Sequence, residues 1–236
     1  MNPYEGKYAI VTGARRGVGR MITEHILAHG GSVAGFARGE PTIDHPSYRH
    51  FRVDVSDVRS VESAFAELRK MQPSVDIVVN NAGVLTAQYA MIMPSTAAQE
   101  MFATHLMGTF MVSREAAKMM RRRKRGRIVN ISSMAASLQP VGDSVYAACK
   151  IGMATLANVM AKEFAPMSIT CNTLAITAIR TDMLASLPQA KIEEVVKGLP
   201  LPRFAEPDDV LNVLDFFVSE RSDYITAQTV YLGGVN

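Results

Sequence analysis

Apolar residues along this chain gather in short runs, separated by longer stretches in which they recur every three or four positions. The runs fall at residues 8–11, 32–37, 50–55, 75–80, 127–132, 169–174 and 229–232. Each has strand length, and several are rich in β-branched residues. Amphipathic stretches of helical period, beginning with residues 21–28, separate most of them. This alternation predicts an α/β fold, an open and mostly parallel seven-stranded sheet with helices on both faces. The crossover between residues 37 and 50 is the exception, because Pro41 and Pro46 disfavour a regular helix there. A helix near residues 101–112 carries two apolar stripes, Phe102, Leu106 and Phe110 beside Met101, His105, Gly108 and Val112. It therefore has two faces to bury.

Two places in this pattern carry candidate chemistry. After the first strand comes Thr12-Gly13-Ala14-Arg15-Arg16-Gly17-Val18-Gly19, a glycine turn leading into a helix. Glycines allow close backbone approach, and a helix N-terminus offers unpaired N–H groups to a pyrophosphate. The second is Tyr146-Ala147-Ala148-Cys149-Lys150, with Ser133 thirteen residues before the tyrosine. Residues four apart on a helix share a face, so phenol and ammonium project together. A free tyrosine titrates near 10, and an ammonium about 4 Å away stabilises a phenolate by roughly 4 kcal/mol. That pairing is expected to lower the Tyr146 pKa by up to about three units, towards the range of a general acid or base.

Taken with Asn80-Asn81-Ala82-Gly83, Ile131-Ser132-Ser133, Pro200-Leu201-Pro202-Arg203 and Leu232-Gly233-Gly234, the chain resembles the short-chain dehydrogenase/reductase family over nearly its whole length. The resemblance implies one Rossmann-like doubly wound domain spanning residues 1–236. It implies a catalytic Ser133, Tyr146 and Lys150. It also implies a nicotinamide dinucleotide held by Gly13, Arg15, Arg16, Gly17, Val18 and Gly19, by Asp54 and Val55 at the adenine, by Asn81, Ala82, Gly83, Tyr146 and Lys150 at the ribose, and by Ile179 and Thr181 at the carboxamide. An acidic residue at the end of the second strand would accept from an adenosine ribose and repel a 2′-phosphate. This chain has Ala37 there, followed by Arg38, and Arg16 precedes Gly17. Guanidinium forks suit phosphate, so the expected cofactor is NADP(H).

The chain departs from the family pattern twice. His105 stands where the family has a catalytic asparagine that anchors a water near the lysine. If it takes that part it stays neutral, and activity falls at acidic pH as it protonates. Ile176-Thr177 replace the usual Pro-Gly after the sixth strand, which puts the backbone beside the nicotinamide in question, since neither favours positive φ.

The expected reaction is reduction of a ketone. The overall pattern is most like that of the 3-oxoacyl-(acyl-carrier-protein) reductases. Dehydrogenation of a small cyclic alcohol, sugar or dihydrodiol, and a non-catalytic dinucleotide-binding protein, stand as alternatives.

Composition narrows the partners. The formal net charge of +3 argues against nucleic acid, and no apolar run approaches a membrane span. Cys149 and Cys171 have no metal-ligand spacing, so no metal is expected, and they fit a reduced cytoplasmic setting. Six cations lie between Arg121 and Arg127. They read first as a solvated helix end and second as a docking site for an acidic acyl carrier protein. The extra stripe on the helix near residue 102, with the family resemblance, implies a homodimer or homotetramer, and the substrate is expected to be a small or carrier-bound ketone. The loop 184–199 is expected to shape its pocket.

Overall fold

The computed structural model describes residues 2–185 and 189–235. Seven strands pair in the order β3-β2-β1-β4-β5-β6-β7. They are β1 (Tyr8–Thr12), β2 (Ser32–Ala37), β3 (Tyr48–Arg52), β4 (Ile77–Asn80), β5 (Gly126–Ser133), β6 (Ile169–Ile176) and β7 (Thr229–Tyr231). Every pairing is parallel, so the sheet is wholly rather than mostly parallel. Parallel strands need crossovers, and most of these are helical.

On one face, α2 (Val58–Met71), α4 (Gly108–Met120) and α6 (Ser144–Phe164) bury Phe65, Leu68, Met111, Val112 and Met160 against β1 to β6. On the other, α1 (Gly17–Ala28) and α9 (Pro207–Val218) bury Ile22, Ile26, Leu214 and Phe217. Shorter helices α3 (Ser95–Phe102), α5 (Ala135–Leu138), α7 (Asp182–Ala185) and α8 (Gln189–Lys197) lie among the loops. The β2–β3 crossover has no helix, as its prolines predict.

The third strand sits earlier than its apolar run. The register Val33↔Tyr48 to Ala37↔Arg52 spends the pairing of β2 by Arg52, and the chain then turns where Asp54 accepts from Ser56 N and Oγ at 2.9 and 2.6 Å. Neighbouring strands, not the local apolar count, set such limits.

The helix with two stripes is not continuous. Between α3 and α4, Ala103–Met107 forms a π-turn, at dihedrals that stay helical on both sides. The Met101, His105, Gly108 and Val112 stripe is the buried one. On the other stripe, Leu106 packs on Gly152 of α6 and Phe110 is half-buried, while Phe102 and Met107 are 43% and 49% exposed.

The basic run is not a uniformly solvated helix end. Arg127 is a buried strand residue paired with Asp223, Arg125 Nη2 lies 2.6 Å from Glu220, and Arg123 Nη1 lies 3.5 Å from Asp76. No described helix is long and apolar enough to cross a membrane.

Candidate active site

The strand order reverses between β1 and β4, and crevices at such points face the carboxyl ends of the strands. Three loops leave those ends side by side. Gly13 follows β1, Asn81 to Gly83 follow β4, and Ser133 ends β5. Thr12 ties the first two together, its hydroxyl accepting from Asn81 N and Ala82 N at 2.9 Å each. Below them Asn80 donates to Ser113 and to Asn130, both at 2.9 Å, locking β4 to α4 and β5.

The glycine turn is shaped for a close visitor. Gly13 and Gly17 hold φ of +70° and +54°, which a side chain would resist. A Cβ on Gly19 would meet the Gly13 carbonyl oxygen at 2.3 Å, so α1 packs directly on its own turn. Arg16, the residue before α1, gives the helix no side-chain capping bond, and the first turn holds no acidic residue. The leading N–H groups therefore suit an anionic ligand.

A cavity of about 450 Å³ opens over these loops, large enough for the reactive end of a dinucleotide beside a small substrate. Gly13, Arg16, Gly17, Val18, Asn81, Ala82, Gly83, His105, Ser133, Tyr146, Lys150, Ile179 and Thr181 line it together. Gly19 supports it from beneath. Arg15, Arg38, Asp54 and Val55 are not in its lining. Arg15 donates to the Glu40 carbonyl and packs on Gly39, bracing the β2–β3 crossover. Arg38 is 62% exposed, its Nη1 lying 3.6 Å from Glu100 and 4.0 Å from Asp54. Val55 packs under Gly108.

Tyr146 and Lys150 share a face of α6, both nearly buried, but their electrostatics differ from the expectation. The Lys150 Nζ donates to the Ile131 carbonyl at 2.9 Å and sits 5.5 Å from the centre of the Tyr146 ring. Burial pushes the Tyr146 phenol up to about 12, against a lowering by its hydrogen bond with Ser133 and with a further rise from Asp143 and Cys149. The expected drop in the Tyr146 pKa is thus overturned, because desolvation outweighs everything else at the hydroxyl. Burial also brings the Lys150 ammonium down to about 8. The Ser133 hydroxyl accepts from Ala135 N at 3.2 Å, and Ser132 Oγ donates to the Lys150 carbonyl at 3.0 Å, seating α6 on β5.

His105 lies in the π-turn and is fully buried. Its Nε2 is 2.7 Å from the Val84 carbonyl oxygen, which assigns the proton to that nitrogen. Nδ1 is left as a buried acceptor with no partner among the described residues. The ring meets Tyr146 edge-on at 5.4 Å and presses on Gly83, where a Cβ would fall 2.6 Å from Cε1. Burial, then the Lys150 charge, brings the imidazole down to about 3 despite its bond to Val84. The ring is therefore neutral across the working range, and an acidic limb from His105 near pH 6 is not expected after all.

The Ile176-Thr177 substitution leaves an ordered backbone. β6 stays paired with β5 as far as Ser133↔Ile176, Met134 N donates to the Ile176 carbonyl at 2.8 Å, and Thr177 is buried against Gly233. Neither residue has positive φ. The sequence reading did not single out Leu85, Met134, Leu138, Pro140 or Asp143 as lining. The segment 135–143 between Ser133 and Tyr146 was the available signal. Of the 184–199 loop, Leu184, Ile192, Val195 and Gly198 reach the cavity, while residues 186–188 lie outside the described residues. Among the described residues no group of three or more His, Cys, Asp or Glu is arranged for a metal ion.

Comparison with known proteins agrees with this geometry. The short chain dehydrogenase family profile matches residues 7–192. The 3-oxoacyl-(acyl-carrier-protein) reductase FabG of Escherichia coli strain K12 is 32% identical, over 98% of this chain and 97% of its own. That of Aquifex aeolicus strain VF5 is 31% identical over the same shares. A putative gluconate dehydrogenase from Agrobacterium tumefaciens superposes with a TM-score of 0.91 at 30% identity, covering 98% and 96% of the two chains. A gluconate 5-dehydrogenase from Burkholderia cenocepacia J2315, in complex with NADP and tartrate, gives 0.91 at 26% identity over 98% and 94%. Fold, glycine turn and the Ser133, Tyr146 and Lys150 cluster thus converge with the sequence matches, and the chain belongs to the short-chain dehydrogenase/reductase family of oxidoreductases.

Proposed function

We propose that this chain is an NADP(H)-dependent reductase that converts a ketone to a secondary alcohol. The observation that carries the reading is the meeting of Ser133, Tyr146 and Lys150 with the glycine turn on one cavity. With its pKa near 12, the Tyr146 phenol stays protonated at neutral pH, which suits a group that must give a proton to a developing alkoxide. Ser133, already bonded to that phenol, orients the substrate oxygen. Lys150 sets its charge behind the phenol ring and would bond the ribose. His105 offers its Nδ1 lone pair to a water or donor beside Lys150.

A bound nicotinamide dinucleotide supplies the hydride. The open first turn of α1, with Gly13, Arg16, Gly17 and Val18, would hold its pyrophosphate. Asn81, Ala82 and Gly83 would hold the ribose, Ile179 and Thr181 the carboxamide, and Asp54 and Val55 the adenine. Ala37, Arg38 and Arg16 favour a 2′-phosphate, and the NADP of the Burkholderia cenocepacia neighbour is in keeping with that choice. Exposed Phe102 and Met107, with Ile151 and Val159 of α6, support assembly as a homodimer or homotetramer. Two buried free cysteines are in keeping with a cytoplasmic setting.

The test is NADPH oxidation by the purified protein against a panel of ketones, free and thioester-linked. Reduction of at least one ketone, faster with NADPH than with NADH, is the expected outcome. NADPH binding without turnover of any ketone would leave a dinucleotide-binding protein instead.

A further inference from the structure

Away from the reacting groups, the end of β2 carries a charge arrangement that the chemistry does not use. The backbone that follows the strand is braced at three consecutive carbonyls. Arg52 Nε donates to that of Arg38 at 3.1 Å, His50 Nε2 lies 2.8 Å from that of Gly39, and Arg15 donates to that of Glu40. The Arg38 side chain takes no part in this bracing. It lies between two carboxylates, with Nη1 3.6 Å from Glu100 and 4.0 Å from Asp54. Neither distance is that of a hydrogen bond, so both carboxylates act on the guanidinium through charge. Asp54 is otherwise engaged, its Oδ1 accepting from Ser56 N and Oγ. The Glu100 carboxylate, on α3, has Arg38 as its one partner among the described residues.

Resting on the NADP(H) reading above, in which Arg38 meets the 2′-phosphate, we propose that Glu100 is a coenzyme-selectivity residue. Its carboxylate competes with that phosphate for Arg38, and so holds the preference for NADPH below what Ala37 and Arg38 alone would give. A phosphate monoester carries about −1.5 to −2 charges at pH 7. To reach the Arg38 fork it must come close to Glu100, so two anions share one cation and repel each other. NADH brings only a hydroxyl to the same point, and its binding is indifferent to Glu100. The opposite part, a carboxylate that steadies Arg38 for the phosphate, would need a hydrogen-bonded fork. A contact of 3.6 Å to one Nη1, between side chains 62% and 52% exposed, does not supply that. The same exposure keeps the competition modest, because water and salt screen it.

The experiment is calorimetric binding of NADPH, NADH, 2′,5′-ADP and 5′-AMP to the parent, Glu100→Gln, Arg38→Ala and the double variant, at low and at raised salt. Glu100→Gln is expected to tighten NADPH and 2′,5′-ADP at least about threefold, or about 0.7 kcal/mol, and to leave NADH and 5′-AMP close to the parent. A disturbance of the fold would move all four ligands together. The gain should shrink as salt rises, and it should be smaller in the Arg38→Ala background, where no shared cation is released. No turnover is needed, so a protein that reduces no ketone still gives the answer. If the parent prefers NADH, the NADP(H) reading fails, and the ratio of 2′,5′-ADP to 5′-AMP still shows whether Glu100 opposes a phosphate. Unchanged or weaker binding of 2′,5′-ADP in Glu100→Gln, or an equal gain for 5′-AMP, overturns the proposal. An equal gain with Arg38 already replaced overturns the part given to competition for that residue.

Discussion

Two buried charges in this fold are treated in opposite ways. Glu115, on the face of α4 towards α2, is 4% exposed and is met by Arg69 at 2.5 Å, Lys118 at 2.6 Å and Arg114 at 3.0 Å. Burial alone would raise its pKa, but the hydrogen bonds from Lys118 and Arg69, then the charges of Lys118 and Arg114, more than reverse this and hold it low. Lys150 is equally buried and has one carbonyl to bond, with no carboxylate paired to it among the described residues. The structural charge is neutralised by its neighbours. The charge in the cavity is left at a cost, which is how groups awaiting a ligand differ from groups that only hold the fold.

The comparison can be broken most forcefully at Lys150. Lys150→Met is expected to cut turnover by at least about a hundredfold, the low end for a group acting on proton transfer. The same variant should be more stable at pH 7, by about 1–3 kcal/mol, since an ammonium brought from 10.5 down to about 8 opposes folding. The sign follows from proton binding. Between pH 8 and 10.5 the unfolded chain holds this proton and the folded chain does not, so stability rises with pH there. Thermal unfolding across that window should show the rise in the parent and its loss in the variant. A variant that is both active and less stable would erase the distinction.

Glu115→Gln should behave in the reverse manner. It is expected to lose about 1.5–3 kcal/mol, the range for hydrogen bonds to charged groups, while kcat and KM stay close to the parent values. The lowered carboxylate pKa means this contribution is present above the unfolded value and fades as pH falls through the folded one. Denaturant titration at pH 7 and below measures it. A catalytic defect without a stability loss would count against a purely structural Glu115.

His105 sharpens the contrast inside the site. Its folded pKa near 3 lies below the ordinary 6.5, so the unfolded chain takes up a proton as pH falls through that interval. The parent should lose about 1–2 kcal/mol between pH 6 and 5 on this account, and His105→Asn should not. Turnover in the parent should show no limb from His105 above pH 4. His105→Leu, with its fold intact, should lose turnover if Nδ1 serves the site, and parental turnover would reduce His105 to packing.

The smallest effect is expected at Arg38. Arg38→Ala should erode the preference for NADPH over NADH by about tenfold, or 1.4 kcal/mol, in a fluorescence titration. Preserved discrimination would shift the choice to Arg16.

Much of this was legible in the sequence because the groups concerned are close along the chain. Tyr146 and Lys150 are four apart on one helix, and the glycine turn joins consecutive elements, so local geometry places them. The open parallel sheet with helices on both faces followed from the alternation of apolar runs and helical stretches. Properties made by distant neighbours were not legible. The π-turn of Ala103–Met107 adds no mark to the apolar stripe, and only packing on Gly83 and Val84 gives His105 its tautomer. Desolvation of Tyr146 comes from the cluster with Met101, Ala135 and Cys149, which spacing alone does not reveal. Arg127 closed a cationic run and opened a predicted strand, but its pairing with Asp223 reaches across 96 positions of sequence.

The central claim is that Tyr146 gives the proton in an NADPH-dependent ketone reduction. Tyr146→Phe tests it most directly, with NADPH affinity from fluorescence and single-turnover NADPH oxidation read on the same preparation. The account predicts affinity within about twofold of the parent and oxidation slower by about 10²–10⁴-fold, the usual contribution of a positioned general acid. Oxidation by the phenylalanine variant at the parental rate, with ketone consumed, would contradict it.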